Sequence, residues 1–493
     1  MPFIRRHIPG LILAVTLCMA ASGCAGMNRP EPAELPGDLP TQWSSVADAV
    51  EPGGSPSQKQ AAAGQVRIKD LAVTTSLLDL FNDAGMAALV RQALDHNPDI
   101  KATAARLRAS GFLLSQTGSR RLPQVSAGAD QGRNNQNTDE TGAPDTKNHT
   151  QISASISWEL DLWGRISDRH HSQVLEHKAL ALEYTRAYDA LAARVIQAWI
   201  NGVAARQALG IEKERLAALQ KIESILLLKY RQGLGSLEEF SAARTRAQVA
   251  KSNVNARTQS YNSALRTLDI LAGRYPGAGK ALGKNLPQIK RAPILSPGAA
   301  LKNRPDIQAA LARINAGHLT ALATRKDRLP ALRLVAEVSK SATSLSQVDT
   351  ASRIWSLAAG LTQPVFQGGR LKDKALARQA EADAAVYDLA RAVLAAMKEV
   401  EDALDKETAL AARKQALAIA VLEATRTTRY FLDRYRKGLD NIQTLLNAQE
   451  QEMNIKASLT DIRAARMANR IDTALAMGLG APEPHSNSRM SQK

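Results

Sequence analysis

The side chains of this sequence best suited to ligating a metal or acting as nucleophiles are His170, His171 and His177, which share one helical stretch, and the thiols Cys18 and Cys24. A metal centre needs several Cys, His or carboxylate ligands at a recurring spacing. The three histidines have no cysteine and no second ligand set beside them, so they read as ordinary polar positions. No glycine-rich phosphate loop, paired catalytic carboxylates or nucleophile elbow appears. The expectation is no enzyme, no catalytic residue, no metal and no cofactor. Cys18 lies inside an apolar run and Cys24 at its end, so neither has a partner for a structural disulfide. The chemistry left is acylation of the Cys24 thiol.

That chemistry depends on the surrounding segment. Residues 1–23 read as an export signal, with Arg5 and Arg6 at the start, an apolar centre from Leu11 to Ala21, and the small residues Ser22 and Gly23 before Cys24. The apolar run is about half of the roughly 20 residues that a spanning helix needs. Ala21-Ser22-Gly23-Cys24 resembles a bacterial lipobox, whose cleavage leaves Cys24 as a lipidated N-terminus. Two acyl chains hold a membrane far more stably than one. Ala25, where lipoprotein sorting reads an Asp as an inner-membrane signal, is compatible with the outer membrane.

Charge and composition exclude other partners. Without residues 1–23 the chain keeps 62 basic against 47 acidic side chains, a net charge of +15. The basic residues are spread along helical stretches beside Asp and Glu, with no compact cluster and no interleaved aromatics for base stacking. Nucleic acid is therefore not an expected partner.

The chain divides by composition. Residues 24–70 form an extended leader in which Pro30, Pro32, Pro36, Pro40, Pro52 and Pro56 prevent a sustained helix. Residues 481–493 read as a disordered polar tail. Between them the body repeats. Leu94–Ile100 returns as Leu301–Ile307 and Arg121-Leu-Pro123 as Arg328-Leu-Pro330, both offset by 207 residues. Gly164-Arg165 returns as Gly369-Arg370, Tyr230–Gly233 as Tyr435–Gly438, and Gly273 as Gly478, all offset by 205. The two-residue difference falls between Pro123 and Gly164. Each unit is far longer than a solenoid repeat, so residues 71–285 and 286–480 are read as a duplicated domain.

Proline is absent from Ile152 to Tyr275 and from Val365 to Ala481, where Ala, Leu, Arg, Gln and Glu dominate, a composition that favours helix. Gly164 to Gly233 leaves room for a helix on the order of 100 Å long, and Leu371 to Lys437 matches it without a glycine. Val386, Leu389, Val393, Ala396, Val400, Ala403, Leu410 and Leu417 keep the spacing of a coiled-coil seam. Return helices are predicted over Leu237–Leu271 and Ile442–Met477, giving two long helical hairpins.

Elsewhere the period is two. Ile152, Ala154, Ile156, Trp158 and Leu160 alternate with Ser153, Ser155, Ser157 and Glu159, and Trp355, Leu357, Ala359 and Leu361 alternate before Pro364. Weaker partner strands are Val125–Ala129 and Leu332–Ala336, with polar loops at Gln131–Asn148 and Ser339–Thr350. An export signal, the lack of a later long apolar run and strands of about membrane-spanning length favour an outer-membrane barrel. Four strands cannot close such a barrel, since even the smallest has about eight. Three copies would supply twelve.

The chain resembles the TolC-type outer-membrane efflux channel family, in its lipidated, NodT-like branch, across Leu71 to Gly480. The resemblance rests on the duplicated helix, strand, strand, helix order, on Asn97-Pro-Asp99 and Arg304-Pro-Asp306, and on Tyr-Arg-x-Gly followed by Leu445-Leu-Asn-Ala-Gln449. It implies a mainly α fold with β, a homotrimer with a 12-strand barrel among outer-membrane lipids, and a periplasmic α-helical barrel. It also implies a passive exit duct for drugs or other small solutes, fed by an inner-membrane pump of the RND type through a periplasmic adaptor. Gly233, Leu234, Gly235, Ser236 and Gly438, Leu439, Asp440, Asn441 become the hairpin tips that meet the adaptor, although helix-hairpin punctuation alone would also place glycine there.

By the same resemblance Tyr435 and Glu239 are a candidate gate latch, while Thr444 and Asn447 occupy positions where the family places aspartate rings. Uncharged rings weaken a cation-selective constriction unless Glu238 or Asp440 substitutes. Asn447→Asp is then expected to raise cation selectivity, and Glu239→Ala to raise resting conductance. Two alternatives stay open: a related channel for protein secretion or metal-ion export, and a lipid-anchored coiled-coil scaffold without a pore. The scaffold would have no need of alternating segments with Trp158, Trp163, Trp355 and Phe366 near their ends, where interface girdles sit.

Overall fold

A computed structural model of the chain describes residues 40–47, 77–81, 83–137, 144–277, 279, 282–283, 285–290 and 293–481. The signal at 1–23, Cys24 and nearly all of the tail lie outside them. After one helical turn at Ser44–Ala47 and a 3-10 turn at Leu77–Leu80, the order is α1 (Ala84–His96), α2 (Pro98–Ser119), β1 (Gln124–Asn137), β2 (Pro144–Leu160), α3 (Arg165–Arg231) and α4 (Leu237–Leu271). The second repeat follows as α5 (Pro297–Asn303), α6 (Pro305–Lys326), β3 (Ala331–Ala342), β4 (Arg353–Thr362), α7 (Arg370–Arg436) and α8 (Ile442–Ala476). Both long helices, α3 and α7, have 67 residues, and both return helices have 35. The described parts of one compact unit are 111–137, 144–177 and 311–387, and the rest of the described chain forms a second.

The first unit carries a four-stranded antiparallel meander in the order β1-β2-β3-β4. Its register sorts the faces. Val125, Ile156, Ala336 and Leu357 stand opposite one another in a row across all four strands, as do Trp158, Leu334 and Ala359 across three. Apolar side chains of this face are open to the surroundings, Val125 at 74%, Trp355 at 76% and Leu357 at 74%. The opposite face carries Gln124, Ser126, Ser155, Ser157, Glu159, Arg333, Glu337 and Ser356. A soluble sheet would bury the apolar face; an apolar face left open, with a polar one behind it, is the pattern of a lipid-facing strand set.

These strands outrun the alternation that announces them. β1 continues to Asn137 and β2 begins at Pro144, inside the expected loop 131–148, and β3 continues to Ala342. Ladder bonds join backbone groups whatever the side chains, so polar stretches such as Asp130–Asn135 remain paired.

In the second unit α1, α3, α4, α7 and α8 bury a common core that includes Leu77, Met86, Ile196, Ile200, Leu295 and Ile471. The coiled-coil seam holds at Leu389, Val393, Ala396, Val400, Ala403 and Leu410, each at most 6% exposed. Val386 is 43% exposed, so the buried seam starts one knob later than expected.

The repeated landmarks have a shared structural cause. Asn97 caps α2, its Oδ1 accepting from the Asp99 backbone N–H at 2.9 Å, while its Nδ2 donates to the Leu271 carbonyl at the end of α4. In the second repeat Arg304 takes that place: it is 3% exposed, grips Asp306 through Nε and Nη2 at 3.1 and 2.7 Å, reaches Glu399 at 2.7 Å, and donates to the Ala476 carbonyl at 3.4 Å. Burial pushes the Asp306 carboxyl up, but its bonds to Arg304 and that guanidinium's charge hold it below the usual range. Gly273 and Gly478 end the return helices at φ +69° and +76°, and a Cβ on either would collide with His96 or Asn303.

The leader is tied down within the segment read as extended. Trp43 is 3% exposed and its indole donates to the Leu295 carbonyl at 2.7 Å. Glu401 accepts the backbone N–H groups of Ser44 and Ser45 at 2.7 and 2.9 Å.

Candidate functional site

Both helical hairpins turn through glycine in the left-handed region, Gly233 at φ +73° and Gly438 at +72°. Each turn closes α3 or α7 in the same way. Leu234 N–H donates to the Lys229 carbonyl and Gly233 N–H to Tyr230; Leu439 N–H donates to Arg434 and Gly438 N–H to Tyr435. Such pairs satisfy carbonyls left over at a helix end. The next helix then starts on a side-chain cap, Ser236 Oγ accepting from Glu239 N–H at 3.1 Å and Asn441 Oδ1 from Thr444 N–H at 2.9 Å. Tight turns and caps push the residues between them outward: Leu234 is 74% and Leu439 60% exposed, and Leu237, which opens α4 just after the cap, is 57% exposed. Leucines left exposed on a tight turn are available to meet another apolar surface.

Beneath the tips the hairpins pack on each other through Leu219, Leu226, Ala243, Ala247, Ile442 and Leu445, with Phe240, Phe431 and Tyr435 against them. This fixes the candidate gate residues on a rigid base. Glu239 sits in the first turn of α4, Thr444 in that of α8, and Asn447 one turn further on.

Within the chain Tyr435 does not turn to Glu239. Its hydroxyl meets Lys229 Nζ at 3.5 Å, and the same ammonium lies 5.1 Å from the ring centroid. Asn447 Oδ1 accepts from Arg246 Nη2 at 2.9 Å. Asp440 is paired with Arg434, which also stacks over Tyr430 at 5.5 Å, so its charge is compensated and it does not replace a free aspartate ring. Glu238 is exposed in the first turn of α4. Lys229, Arg246 and Arg434 escaped the sequence reading because each meets its partner only through hairpin packing or a turn; basic residues spaced along helices look the same when they face solvent.

His170 and His171 touch edge to face at 5.9 Å between ring centroids. Burial, with the charge of nearby Arg121, pushes His170 below the usual imidazole range. Among the described residues no group of His, Cys, Asp and Glu converges to hold a metal, and no helix is long and apolar enough to cross a membrane.

At the lower end of the sheet, Trp158 Nε1 donates to the Arg121 carbonyl at 3.1 Å and Trp163 Nε1 to that of Pro330 at 2.7 Å. An indole that is apolar on its body and bonded at its nitrogen suits a membrane edge. Both outer strands of the meander, β1 and β4, keep one edge unpaired among the described residues. Open edges of this length invite pairing with further strands.

An open four-stranded sheet with a lipid-facing apolar side, to which each repeat contributes two strands inserted between a short helix pair and a 67-residue helix, defines a subunit of an outer-membrane channel with helical hairpins. The model of the family "Outer membrane efflux protein" matches residues 89–274 and 296–479. The chain belongs to that family, as an outer-membrane channel subunit of tripartite efflux. It is 26% identical over 461 residues to the outer membrane protein OprJ of Pseudomonas aeruginosa, covering 90% of this chain and 91% of that one. It is 21% identical over 473 residues to the probable outer membrane lipoprotein SilC of Salmonella typhimurium, covering 95% and 98%. Its fold matches the CmeC outer membrane channel of Campylobacter jejuni with a TM-score of 0.82 at 20% identity, over 94% of this chain and 97% of that one.

Proposed function

We propose that three copies of this chain close a 12-strand barrel, serve as a passive exit duct for drugs or other small solutes, and receive them from an RND-type inner-membrane pump through a periplasmic adaptor that docks on Gly233–Ser236 and Gly438–Asn441. The observation that carries the reading is the sheet's sidedness, an open apolar row from Val125 to Leu357 behind which every strand shows polar side chains. A barrel in lipid uses both faces, the apolar one against the membrane and the polar one toward the lumen.

The gate of this duct lies at Glu239, Tyr435, Thr444 and Asn447. Tyr435 is held inside its own chain by Lys229, so a link to Glu239 would join neighbouring copies and would have to compete with that ammonium. Cys24 is lipidated at the outer membrane, a reading supported by its signal sequence and by the lipoprotein name of the relative SilC. No catalysis and no cofactor beyond that lipid are part of the proposal.

Negative-stain imaging with mass determination, on mature protein extracted from outer membranes in mild detergent, tests the assembly. Threefold cylinders are expected. A thin monomeric or dimeric rod would overturn the channel in favour of a lipid-anchored scaffold.

A further inference from the structure

The polar face of the sheet ends, at its junction with α2 and α3, in a cavity of about 380 Å³ rich in guanidinium groups. Arg120 at the end of α2, Arg333 on β3, and Arg165 and Arg169 on the first turns of α3 line it, with Glu159 the one carboxylate on its wall. The carboxylates nearby are already in use. Glu159 pairs with Arg165, and Asp327 is shared among Arg165 at 3.1 Å, Arg169 at 2.5 and 2.7 Å, and Lys374 at 3.6 Å. Two anions thus meet three cations before Arg120 or Arg333 is counted. Among the described residues neither Arg120 nor Arg333 has a carboxylate partner. Arg333 stands directly across the ladder from Glu159, whose carboxylate is engaged by Arg165 instead. A second cavity of about 730 Å³ shares Arg165 and Arg333 and adds Arg370 from the start of α7.

A guanidinium is permanently charged and offers a planar fork that matches carboxylate and phosphate oxygens. Two forks without partners, on a wall whose acids are spent, give a field that concentrates anions in the cavity. The hairpin tips are consistent with this, because the positions where the family resemblance implies acidic rings hold the uncharged Thr444 and Asn447, and Asp440 is compensated by Arg434.

We propose that Arg120 and Arg333 form a lumenal anion-binding site at the base of the barrel, backed by Arg165 and Arg169, which makes the duct prefer solutes carrying a carboxylate or phosphate group. The proposal rests on the channel reading for one point, that the polar face of the sheet is the lumen. Three copies would bring six such arginines to one level of the pore.

The test compares the full-length protein with an Arg120→Gln/Arg333→Gln variant. Neither side chain is in a protein ion pair, so the variant is expected to assemble as the parent does. In planar bilayers under a potassium chloride gradient, the parent is expected to favour chloride, and the variant's chloride-to-potassium permeability ratio to fall at least about threefold. Titration of the detergent-extracted protein with inorganic pyrophosphate is expected to show affinity at least about tenfold weaker in the variant. Conducting channels with the same ratio and the same pyrophosphate affinity in both forms would overturn the anion site. No conductance in either form, with affinity still lost in the variant, would overturn the channel reading and leave the site standing. An Arg120→Lys/Arg333→Lys variant separates charge from fork geometry: recovery of the ratio without recovery of affinity is expected.

Discussion

Asn447, one of the two positions where an aspartate ring was expected to be missing, is not a free amide. Its Oδ1 accepts from Arg246 of the neighbouring hairpin at 2.9 Å. The pair joins α4 to α8 just beneath the tips, and Arg246, with Arg215 and Gln449, lines a small cavity of about 160 Å³ between the hairpins. This changes what a substitution there would do.

Asn447→Asp alone would turn a hydrogen bond into an ion pair with Arg246. The new charge would be largely compensated, and an exposed pair adds only about 0.2–1 kcal/mol. The expected outcome is a small shift in reversal potential for Asn447→Asp and a clear shift toward cations for Asn447→Asp with Arg246→Gln. Bilayer recordings under a salt gradient check it; a full cation shift in the single variant would show that Arg246 does not govern this level of the pore.

Asp189 on α3 is buried and accepts the Ala481 backbone N–H at 2.8 Å, holding the chain just past α8. Burial pushes its carboxyl from 3.8 up to about 6, against the opposing pull of the Ala481 bond and of Arg186. A raised folded-state value means that the folded protein binds this proton more tightly than the unfolded chain does. Stability from this group is therefore full below about pH 4, declines as pH rises toward 6, and stays low above it, a loss on the order of 3 kcal/mol. Asp189→Asn keeps an acceptor and removes the titration. It is expected to melt higher than the parent at pH 7.5 and equally at pH 4; a variant that melts lower at both would refute the sign.

The glycines that end α4 and α8 make a second stability test. Gly273 has φ +69°, and a Cβ there would lie 2.6 Å from the His96 carbonyl oxygen; Gly478 has φ +76°, and its Cβ would lie 2.9 Å from the Asn303 carbonyl carbon. The left-handed conformation alone costs an alanine about 1–2 kcal/mol, and the collisions add to it. Gly273→Ala and Gly478→Ala are each expected to cost at least about 2 kcal/mol in denaturant unfolding, whereas Gly210→Ala, where a Cβ meets nothing within 4 Å, should not destabilise.

These positions also show how far the sequence could be read. Gly273 and Gly478 stood out because the duplication placed both at one offset, and their reason for recurring, close approach to the turn before α2 or α6, needs the fold. Asn97 and Arg304 occupy equivalent positions and both bond the end of a return helix, although one is an amide and the other a buried cation; sequence marks the place and conceals the shared task. Helix ends were legible because Gly233, Ser236, Gly438 and Asn441 act through local backbone chemistry. Strand ends were not, since ladder bonds continue past the last alternating residue. The contacts of Tyr435 with Lys229 and of Asn447 with Arg246 join residues about 200 positions apart, a pairing that periodicity does not encode.

Trp43 supplies a test of the leader. Its indole is buried and bonded to the Leu295 carbonyl, and truncating a buried tryptophan typically costs about 3–5 kcal/mol. Because Trp43 fastens a short segment to a core that has its own contacts, most of that loss should appear as local release. Trp43→Ala is expected to speed proteolysis around residues 40–47 severalfold while the melting of the helical hairpins changes little. Proteolysis at the parental rate would show that Glu401 and the two serines suffice to hold the leader.

The hairpin tips separate docking from folding. Leu234 and Leu439 are 74% and 60% exposed and follow glycines that already fix the turns. Replacing either leucine by aspartate should therefore change stability by no more than about 0.5 kcal/mol. An adaptor that seats on these turns must cover both side chains, and burying an unpaired carboxylate against an apolar surface is costly. Leu234→Asp/Leu439→Asp is expected to leave protein level and trimer content unchanged in the outer membrane. It should also abolish cross-linking of the tips to the adaptor and lower solute tolerance to that of cells lacking the channel. Adding the same two changes to the channel in bilayers should leave its conductance unaltered, because the tips act in assembly with the pump. Cross-linking and tolerance that stayed at the parental level would place the adaptor contact elsewhere on the hairpins.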